Sequence, residues 1–388
     1  MKNRSFSDKW NKVRRLLVIR MDNIGDMVML GPALQAIREN LPGAEISMLA
    51  SPSGSQVMPL LPSVAETIEW RASWQDISKD PTVDPGREWS LVEKLRGRRF
   101  DAAIIFTSFT QSPYPPAYVT YLAGIPIRLG HSREFGGSLL SDWFKPPADT
   151  CHQVERNLFL LEQAGFRVSS REMKLKVSAA DQAVVDALLS RSGVPFDEPY
   201  ILLVPGASCA SRRYDPHRFV SVIRSLSKKT RLPIVIAGSS KESSLLIPIL
   251  QTPAKRHPGR VVSLLGQTSV PQFAAMVKRA ALVVANNSSA LHMADALRRP
   301  MVILYSGTEL ISQWRPRFTP AQLLRRETNC SPCYNFTCPF GTECLDIPAS
   351  EVVDACLNLL AKTDLDRLPT GPTEITLPQS AGKGLRTR

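Results

Sequence analysis

The sequence predicts an α/β fold of two similar halves, each a parallel β-sheet covered by helices on both faces, with a cleft between them. Short apolar segments alternate with helical segments over residues 15–315, as is typical of parallel sheets. The alternation restarts after residues 166–199, a connecting stretch that ends in breaker residues. A length of 388 residues is sufficient for two domains, each with its own core.

The first half begins with a buried strand at 15–20, a polar loop at 22–26 and a segment of helical periodicity at 27–38. Its further strands are predicted at 45–50, 101–106 and 125–130. Its further helices are predicted at 53–61, 90–96 and 153–165, and Gly165 closes the last of them.

The connecting stretch contains a helix at 180–190, and the second half then repeats the pattern. Its strands are predicted at 200–204, 233–237, 261–265, 282–285 and 301–305. Its helices are predicted at 216–228, from residue 241, and at 271–278. A last helix at 349–361 has apolar residues at helical spacing and is expected to pack back on the body of the protein.

Composition indicates a soluble cytoplasmic protein, with 43% apolar and 21% charged residues. The sequence has no run of 18 apolar residues, so no membrane-spanning helix is expected, and its first residues lack the apolar core of a signal peptide. The net charge of +13 predicts an anionic partner, such as a nucleotide, an acidic glycolipid or a membrane surface. Nucleic acid is not expected, because the chain has no aromatic-basic strand motif.

The first fifteen residues are basic and contain two aromatic side chains, Phe6 and Trp10. One interpretation is a peripheral contact with anionic lipid of the inner membrane. The simpler interpretation is a solvated basic leader. The basic residues concerned are Lys2, Arg4, Lys9, Lys12, Arg14 and Arg15.

The stretch 282–297 predicts a strand, a tight polar turn and a helix. In parallel sheets, ligands bind at the carboxyl ends of strands, where helix N-termini offer free N–H groups to anions. Ser288 and Ser289 can cap those groups or leave them for a phosphate, and His292 would face the same crevice. A capped helix with a hydrogen-bonded histidine and a ligand site are equally compatible with this spacing.

Three separated motifs resemble those of the heptosyltransferase family, glycosyltransferase family 9, whose members use nucleotide-activated heptose. The first runs from Val18-Ile19-Arg20 through Ile24-Gly25-Asp26 to Gly31-Pro32-Ala33-Leu34. The second is Pro205-Gly206-Ala207-Ser208 followed by Ser211-Arg212-Arg213-Tyr214, and the third is Asn287-Ser288-Ser289-Ala290-Leu291-His292 followed by Leu304-Tyr305-Ser306-Gly307-Thr308. The resemblance implies the GT-B fold, two Rossmann-like domains with parallel sheets facing a central cleft.

With this resemblance the chain divides into six segments. They are a basic leader at 1–14, an acceptor domain at 15–175, a nucleotide-sugar domain at 176–328, a four-cysteine loop at 329–346, a C-terminal helix at 347–365 and a disordered tail at 366–388.

The resemblance also implies residue roles. Asp26 matches the presumed catalytic base, whereas without the family it is best interpreted as the N-cap of the following helix. The donor-binding positions that it implies are Ser208, Arg212, Glu242, Asn287, Ser288, Ser289 and His292. Arg212 lies where the family has a lysine beside the diphosphate, and Glu242 matches an acid that contacts ribose, or is simply a first-turn residue favoured by the helix dipole.

Three positions depart from the family pattern. Asn287 replaces an acidic residue, Ser289 replaces glycine, and Arg212 replaces lysine with a planar fork. These departures leave open a different donor. The Asp-x-Asp pair at 364–366 lies in the tail, so a metal-independent, inverting transfer that needs no cofactor is implied.

Four cysteines, Cys330, Cys333, Cys338 and Cys344, have the spacing Cys-x2-Cys-x4-Cys-x5-Cys. Four thiolates can hold a structural zinc or iron ion, and the alternative is reduced thiols in a turn-rich loop, some paired as disulfides. Protein-modifying members of the resembled family carry an iron-binding cysteine finger, which this loop resembles.

These features together predict a glycosyltransferase that moves a sugar, expected to be heptose from ADP-heptose, to a lipopolysaccharide core or another cell-surface glycan. The alternatives are a protein-modifying heptosyltransferase with a cysteine-bound metal and a catalytically silent nucleotide-sugar-binding protein.

Overall fold

The structure is a computed structural model that describes residues 8–61, 63–75, 83–195, 198–250 and 261–362. Residue contacts divide the chain into two units. Unit 1 comprises Met1–Val185, Thr268–Ala275 and Leu310–Arg315, and unit 2 comprises Asp186–Gln267, Met276–Glu309 and Pro316–Arg388. The predicted disordered tail at 366–388 and the first seven residues of the leader lie outside the described residues.

Unit 1 contains, within its described residues, a sheet of six parallel strands in the order β3-β2-β1-β4-β5-β6. This is the order of a doubly wound nucleotide-binding sheet. The apolar β1 lies at its centre, where its residues are buried between β2 and β4. The strands are β1 (Arg15–Arg20), β2 (Glu45–Ala50), β3 (Glu66–Glu69), β4 (Ala102–Ile105), β5 (Ile127–His131) and β6 (Asp142–Phe144).

Unit 2 repeats the plan, and its described part has six parallel strands in the order β12-β11-β10-β7-β8-β9. All seven residues of β10 are buried, as a central parallel strand requires. The strands are β7 (Tyr200–Val204), β8 (Ile234–Ile236), β9 (Val261–Ser263), β10 (Ala280–Asn286), β11 (Met301–Leu304) and β12 (Ala321–Leu324). The predicted α/β fold with two parallel sheets is therefore confirmed.

Helices connect these strands along the described chain. The α-helices are α1 (Asp8–Asn11), α2 (Ile24–Asn40), α3 (Pro52–Ser55), α4 (Pro85–Gly97), α5 (Tyr114–Leu122), α6 (Gln153–Gln163), α7 (Ala179–Arg191), α8 (Pro216–Lys229), α9 (Ile247–Leu250), α10 (Val270–Arg279), α11 (Ser289–Ala296), α12 (Ile311–Trp314) and α13 (Ala349–Lys362). Short 3₁₀-helices span Met58–Leu60, Ser73–Gln75, Ala210–Arg212, Ser240–Leu246 and Glu343–Leu345.

Most differences from the sequence expectations occur at sheet edges and in short turns. The strands β3, β6 and β12 were not predicted, because their short mixed sequences have no clear apolar run. The helix predicted at 53–61 is instead α3 followed by a 3₁₀ turn. Gly165 has the positive φ of +88° expected of a glycine that closes a helix.

The C-terminal helix α13 packs on unit 2 as expected. Its apolar face, including Val352, Cys356 and Leu359, belongs to the same buried core as Phe219 of α8. A hydrogen bond also joins the segments that precede these two helices, because the Tyr214 hydroxyl donates to the Ile347 carbonyl at 2.6 Å.

The basic leader does not present Trp10 to a surface. Trp10 is only 1% exposed, and its ring packs edge-on against Phe166 with centroids 5.0 Å apart. Lys9 forms an ion pair with Asp142 of β6. The proposed lipid contact through Trp10 is therefore wrong, because apolar packing within unit 1 already buries this side chain. No helix among the described residues has the length and apolar character needed to cross a bilayer.

The substitution Trp10→Ala is expected to lower the free energy of unfolding by about 3–5 kcal/mol, because it removes a buried aromatic side chain and leaves a cavity. Urea denaturation followed by circular dichroism measures this loss. The matched control is Trp89→Ala, since Trp89 is 53% exposed and should change stability little. Unchanged stability of the Trp10→Ala protein together with lost binding to anionic vesicles would restore the lipid interpretation.

Candidate functional site

Asp26 lies in the first turn of α2, at the carboxyl end of the central strand β1. The helix begins at Ile24, so Asn23 is the N-cap and Asp26 is the third helical residue. Asp26 Oδ2 accepts a hydrogen bond from the Asn23 N–H at 3.3 Å, as in a capping box. The expected N-cap role of Asp26 itself is therefore wrong, since the helix starts earlier than its apolar periodicity indicates.

Arg20 is the group that organises the end of β1, and its side chain is completely buried. Its Nη2 lies 3.1 Å from Asp26 Oδ1, and its Nε lies 2.7 Å from Asp22 Oδ2. The guanidinium also donates to Asn157 Oδ1 at 3.1 Å and to Ser108 Oγ at 2.9 Å. A buried charge requires such partners, so Arg20 holds one oxygen of the Asp26 carboxylate in place.

Asp22 and Asp26 differ in their surroundings, although both pair with Arg20. Burial raises the pKa of Asp22, against the opposing effect of the Arg20 charge and with a further raising effect of Asp26. The Asp26 side chain remains 16% exposed, whereas that of Asp22 is 8% exposed. No role was predicted for Arg20 or Asp22. Their charges at the end of an apolar strand are the feature of the sequence that indicates a site there.

In unit 2, the predicted donor loop follows β10. Asn286, at the end of this strand, is fully buried and was not predicted as a site residue. Its Oδ1 accepts from the Tyr214 N–H at 3.1 Å, and its Nδ2 donates to the Pro205 carbonyl at 2.7 Å. Asn286 thus fastens the turn after β7 to the end of β10.

Asn287, at the position where the family pattern has an acid, is buried and hydrogen-bonded through its side-chain oxygen. Its Oδ1 accepts from both the N–H and the hydroxyl of Ser306, each at 3.2 Å. Its buried Nδ2 forms no hydrogen bond within the described residues. Asn287 therefore ties the loop after β10 to the loop after β11 without a charge.

Ser288 is the N-cap residue of α11, but its side chain makes no cap bond. Its buried Oγ has no hydrogen-bond partner in the part of the chain that the structure describes. Ser289 is the first residue of this eight-residue helix. The arrangement leaves the first N–H groups of α11 without a serine cap and available for an anion.

His292 lies one turn into α11 and is buried. Burial lowers its pKa to about 3, and the positive charge of Arg212 contributes in the same direction. The imidazole is therefore neutral near pH 7, where it can exchange hydrogen bonds with a ligand but cannot supply a positive charge.

Arg212 has carboxylate and hydroxyl partners within unit 2. Its guanidinium pairs with Glu309, and its Nε donates to Thr308 Oγ1 at 3.2 Å. Thr308 Oγ1 in turn lies 3.0 Å from Ser306 Oγ. Hydrogen bonds therefore connect Arg212 to Asn287 through Thr308 and Ser306. Glu309, the ion-pair partner of Arg212, was not predicted from the sequence.

Glu242 and Ser208 lie on the neighbouring loops after β8 and β7. Glu242 Oε2 accepts from the Ser239 N–H at 2.8 Å in a capping box, so the first-turn interpretation of Glu242 describes its position. A Cβ at Gly206 would lie 1.8 Å from Glu242 Oε1, so only glycine admits this carboxylate against the turn. Ser208 is exposed beyond that turn.

The four-cysteine loop folds against the loops that follow β7 and β11 in unit 2. The Cys333 N–H donates to the Gly307 carbonyl at 3.1 Å, and the Tyr334 N–H donates to the Thr308 carbonyl at 2.9 Å. The Ser211 N–H donates to the Phe336 carbonyl at 3.2 Å. The loop thus supports the backbone of Ser211, which precedes Arg212, and that of Thr308, which Arg212 contacts.

The thiols of this loop do not fit a metal. No group of three or more His, Cys, Asp or Glu side chains among the described residues is placed to hold an ion. All seven cysteines are free thiols, including Cys330, Cys333, Cys338 and Cys344. The structure therefore does not support the predicted zinc or iron site, because the loop is organised by backbone hydrogen bonds rather than by converging sulfur atoms.

Comparisons with known proteins give the same family as the three sequence motifs. The sequence model of "Glycosyltransferase family 9 (heptosyltransferase)" matches residues 88–344. The lipopolysaccharide heptosyltransferase 2 of Escherichia coli K12 is 25% identical over 314 residues, which cover 79% of this chain and 85% of that enzyme.

Two solved structures have the same fold. The E. coli ADP-heptose lipopolysaccharide heptosyltransferase II superposes with a TM-score of 0.71 at 22% identity, covering 90% of this chain and 99% of that one. A family 9 glycosyl transferase from Veillonella parvula gives a TM-score of 0.72 at 18% identity, covering 90% of this chain and 98% of that one.

The buried neutral His292 should make stability depend on pH. Its pKa falls from 6.5 to about 3 on folding, so the unfolded chain binds a proton that the folded chain does not. The stabilisation is complete above pH 6.5 and is lost toward pH 3, at about 1.4 kcal/mol per pH unit. His131, with a pKa of about 4, contributes in the same direction.

Urea denaturation at pH 5 and pH 7 tests this dependence. The wild type should lose about 2 kcal/mol more stability on acidification than His292→Gln, which has no imidazole at this position. The exposed His217 provides the control, and His217→Gln should behave like the wild type. Equal pH dependence of all three proteins would contradict the buried, neutral state of His292.

Proposed function

The chain belongs to glycosyltransferase family 9, the heptosyltransferases, and we propose that it transfers heptose from ADP-heptose to a sugar of a lipopolysaccharide core. The observation that carries this proposal is the match of the family model to residues 88–344. Similarity to a lipopolysaccharide heptosyltransferase over 85% of that enzyme's length supports the same donor and acceptor class.

We propose Asp26 as the general base of this transfer. The acceptor hydroxyl attacks the anomeric carbon of the heptose, Asp26 takes the hydroxyl proton, and the bond from that carbon to the diphosphate breaks. A single displacement of this kind inverts the anomeric configuration. The support is geometric: Arg20 and the Asn23 N–H each hold one carboxylate oxygen, while the side chain keeps 16% exposure to reach a substrate.

The leaving ADP carries negative charge, and unit 2 has the groups to stabilise it. We propose that the N–H groups of Ser288 and Ser289, together with Arg212, bind the diphosphate. His292, being neutral, would donate one hydrogen bond. Before the donor binds, Glu309 neutralises the charge of Arg212. The diphosphate would therefore have to displace Glu309 from Arg212.

We further propose that Glu242 and Ser208 contact the nucleoside, since both lie beside the turn that follows β7. Asn287 would then act indirectly, by holding the Ser306 loop. No divalent ion is invoked, because the Asp-x-Asp pair of this sequence lies at 364–366, in the tail.

A glycolipid acceptor places the reaction at a membrane surface, and we propose a peripheral, cytoplasmic location on the inner membrane. We propose that Lys2, Arg4 and Phe6, which lie outside the described residues, make this contact. Trp10 and Lys9 do not, since both are engaged within unit 1.

Transfer assays with ADP-heptose, and with GDP-, UDP- and CDP-linked sugars as comparison donors, test the proposal on a heptose-deficient lipopolysaccharide core. We expect transfer from ADP-heptose only. The substitution Asp26→Asn should reduce kcat by about 100-fold or more, because it removes the base and leaves the donor groups of unit 2 in place. Calorimetry should show ADP-heptose binding within about threefold of wild type.

The control is Asp101→Asn, since Asp101 also accepts backbone N–H groups in unit 1, from Arg14 and Arg15, away from the β1–α2 loop. Transfer by Asp101→Asn should match the wild type. Turnover by Asp26→Asn above half of the wild-type rate would exclude Asp26 as the base. Tight binding of ADP-heptose without transfer to any glycan or protein acceptor would favour the catalytically silent alternative.

A further inference from the structure

One face of unit 1, formed by helices α4 and α5, carries exposed aromatic side chains to which the proposed reaction assigns no role. Trp89 of α4 and Tyr118 and Tyr121 of α5 are each about half exposed. The two helices pack against each other, and their inner sides, with Leu95 of α4 and Val119 of α5, belong to the same apolar core. Their outer sides therefore lie next to each other on one surface.

Trp143 extends this surface to the edge of the sheet. It lies in the edge strand β6, is about half exposed, and is in register with Gly130 of β5. A Cβ at Gly130 would lie 3.5 Å from the Cβ of Pro113, the N-cap residue of α5. Residues in register on parallel strands point to the same face of the sheet, so Trp143 lies on the α5 face.

Phe135, in the loop after β5, is 94% exposed beside the first turn of α5. The Tyr114 hydroxyl of that turn donates to the Glu134 carbonyl at 2.9 Å. The Gly136 backbone lies against the Tyr114 ring, where a Cβ at Gly136 would come within 1.8 Å of Cε1. These contacts hold the backbone on both sides of Phe135. We call the following five side chains the aromatic surface: Trp89, Tyr118, Tyr121, Phe135 and Trp143.

Unpaired cations accompany the aromatic surface. Lys94 of α4, Arg99 in the turn after α4, and Lys145, two residues after Trp143, are exposed. No carboxylate in the described part of the chain forms an ion pair with any of the three. Other charges of α4 cancel in ion pairs, namely Arg87 with Glu88 and Arg96 with Glu93. The charge that remains beside the aromatic surface is therefore positive.

The combination of tryptophan, tyrosine and cations favours a lipid bilayer over a protein partner. Trp and Tyr are enriched at membrane–water interfaces, where the ring lies at headgroup level and its N–H or O–H stays in water. Lysine and arginine beside them attract the anionic lipids of a cytoplasmic leaflet. The core of a protein–protein interface is instead depleted of charge, whereas α4 carries exposed charged residues along the side that bears Trp89.

We propose that the aromatic surface docks on a bilayer that contains anionic phospholipid. The aromatic rings enter the headgroup region, and Lys94, Arg99 and Lys145 lie beside lipid phosphates. Trp10, which is buried, has no part in this contact. Binding to lipid does not rest on the proposed function. Its use, which is to bring unit 1 to an acceptor that is itself anchored in the membrane, does rest on it.

Sedimentation of the full chain with vesicles tests the docking without any transfer reaction. The anionic vesicles contain phosphatidylglycerol and phosphatidylethanolamine, and the neutral vesicles contain phosphatidylcholine alone. We expect binding to anionic vesicles to be about tenfold or more tighter, since each nearby cation contributes. The substitutions Lys94→Gln and Lys145→Gln, made together, should remove most of this preference.

The double variant Trp89→Ser/Trp143→Ser should bind anionic vesicles about tenfold or more weakly than the wild type, because it removes two rings from the headgroup region. The matched control is Phe336→Ser/Phe340→Ser, which removes two similarly exposed aromatic side chains from unit 2. The control should bind within about twofold of the wild type. Circular dichroism melting reports whether each variant is folded.

If the serine variant does not fold, Trp89→Phe/Trp143→Phe with brominated phosphatidylglycerol provides the second test. Bromine quenches tryptophan fluorescence on contact, and the phenylalanines retain the apolar rings. Vesicle binding should stay within about threefold of the wild type, while about half or more of the quenching is lost, because the indoles that enter the bilayer are gone.

Equal binding of the wild type to anionic and neutral vesicles would overturn the proposal. So would undiminished binding by a folded Trp89→Ser/Trp143→Ser protein, or unchanged quenching in the phenylalanine variant. A dimer in analytical ultracentrifugation that the serine variant dissociates, without vesicle binding by the wild type, would assign the aromatic surface to a second copy of the chain. Failure to transfer heptose to a water-soluble core oligosaccharide, with vesicle binding intact, would count against the proposed function alone.

Discussion

The arrangement of unit 1 depends on the burial of the Arg20 guanidinium at the carboxyl end of β1. A buried cation without partners would cost several kcal/mol, so the surrounding chain must supply them. Asp22, Asp26, Ser108 and Asn157 do so, and they come from the segment that joins β1 to the first turn of α2, the loop after β4 and helix α6. One electrostatic requirement therefore positions three segments, and it positions the Asp26 carboxylate with them.

Unit 2 solves the equivalent problem with neutral groups. Asn286 and Asn287 use their amides to join the loops after β7, β10 and β11. The cysteine loop then adds backbone hydrogen bonds to Gly307 and Thr308 from the other side. These neutral ties add no further carboxylate beside the Arg212–Glu309 pair, where we propose that a diphosphate binds.

Charge compensation distinguishes the half-buried Arg212 of unit 2 from the buried Arg156 of unit 1. Arg212 is paired with Glu309 and lowers the pKa of the neighbouring His292, so its charge is shared within a network before a donor binds. Arg156 has an aromatic face beneath it and no paired carboxylate among the described residues.

The sequence by itself determined the fold class, the central strands and the turns that precede Asp26 and His292, because alternating apolar periodicity and short turn motifs are local signals. Tertiary structure decided the rest. Trp10 reads as a surface aromatic in a basic leader, yet it is buried and packs against Phe166, more than 150 residues away in the sequence. The cysteine spacing reads as a metal site, yet backbone bonds to distant loops hold the segment. The partners of Arg20, Asn286 and Arg156 come from other strands and helices, and no local pattern encodes which distant group will satisfy a buried charge or amide.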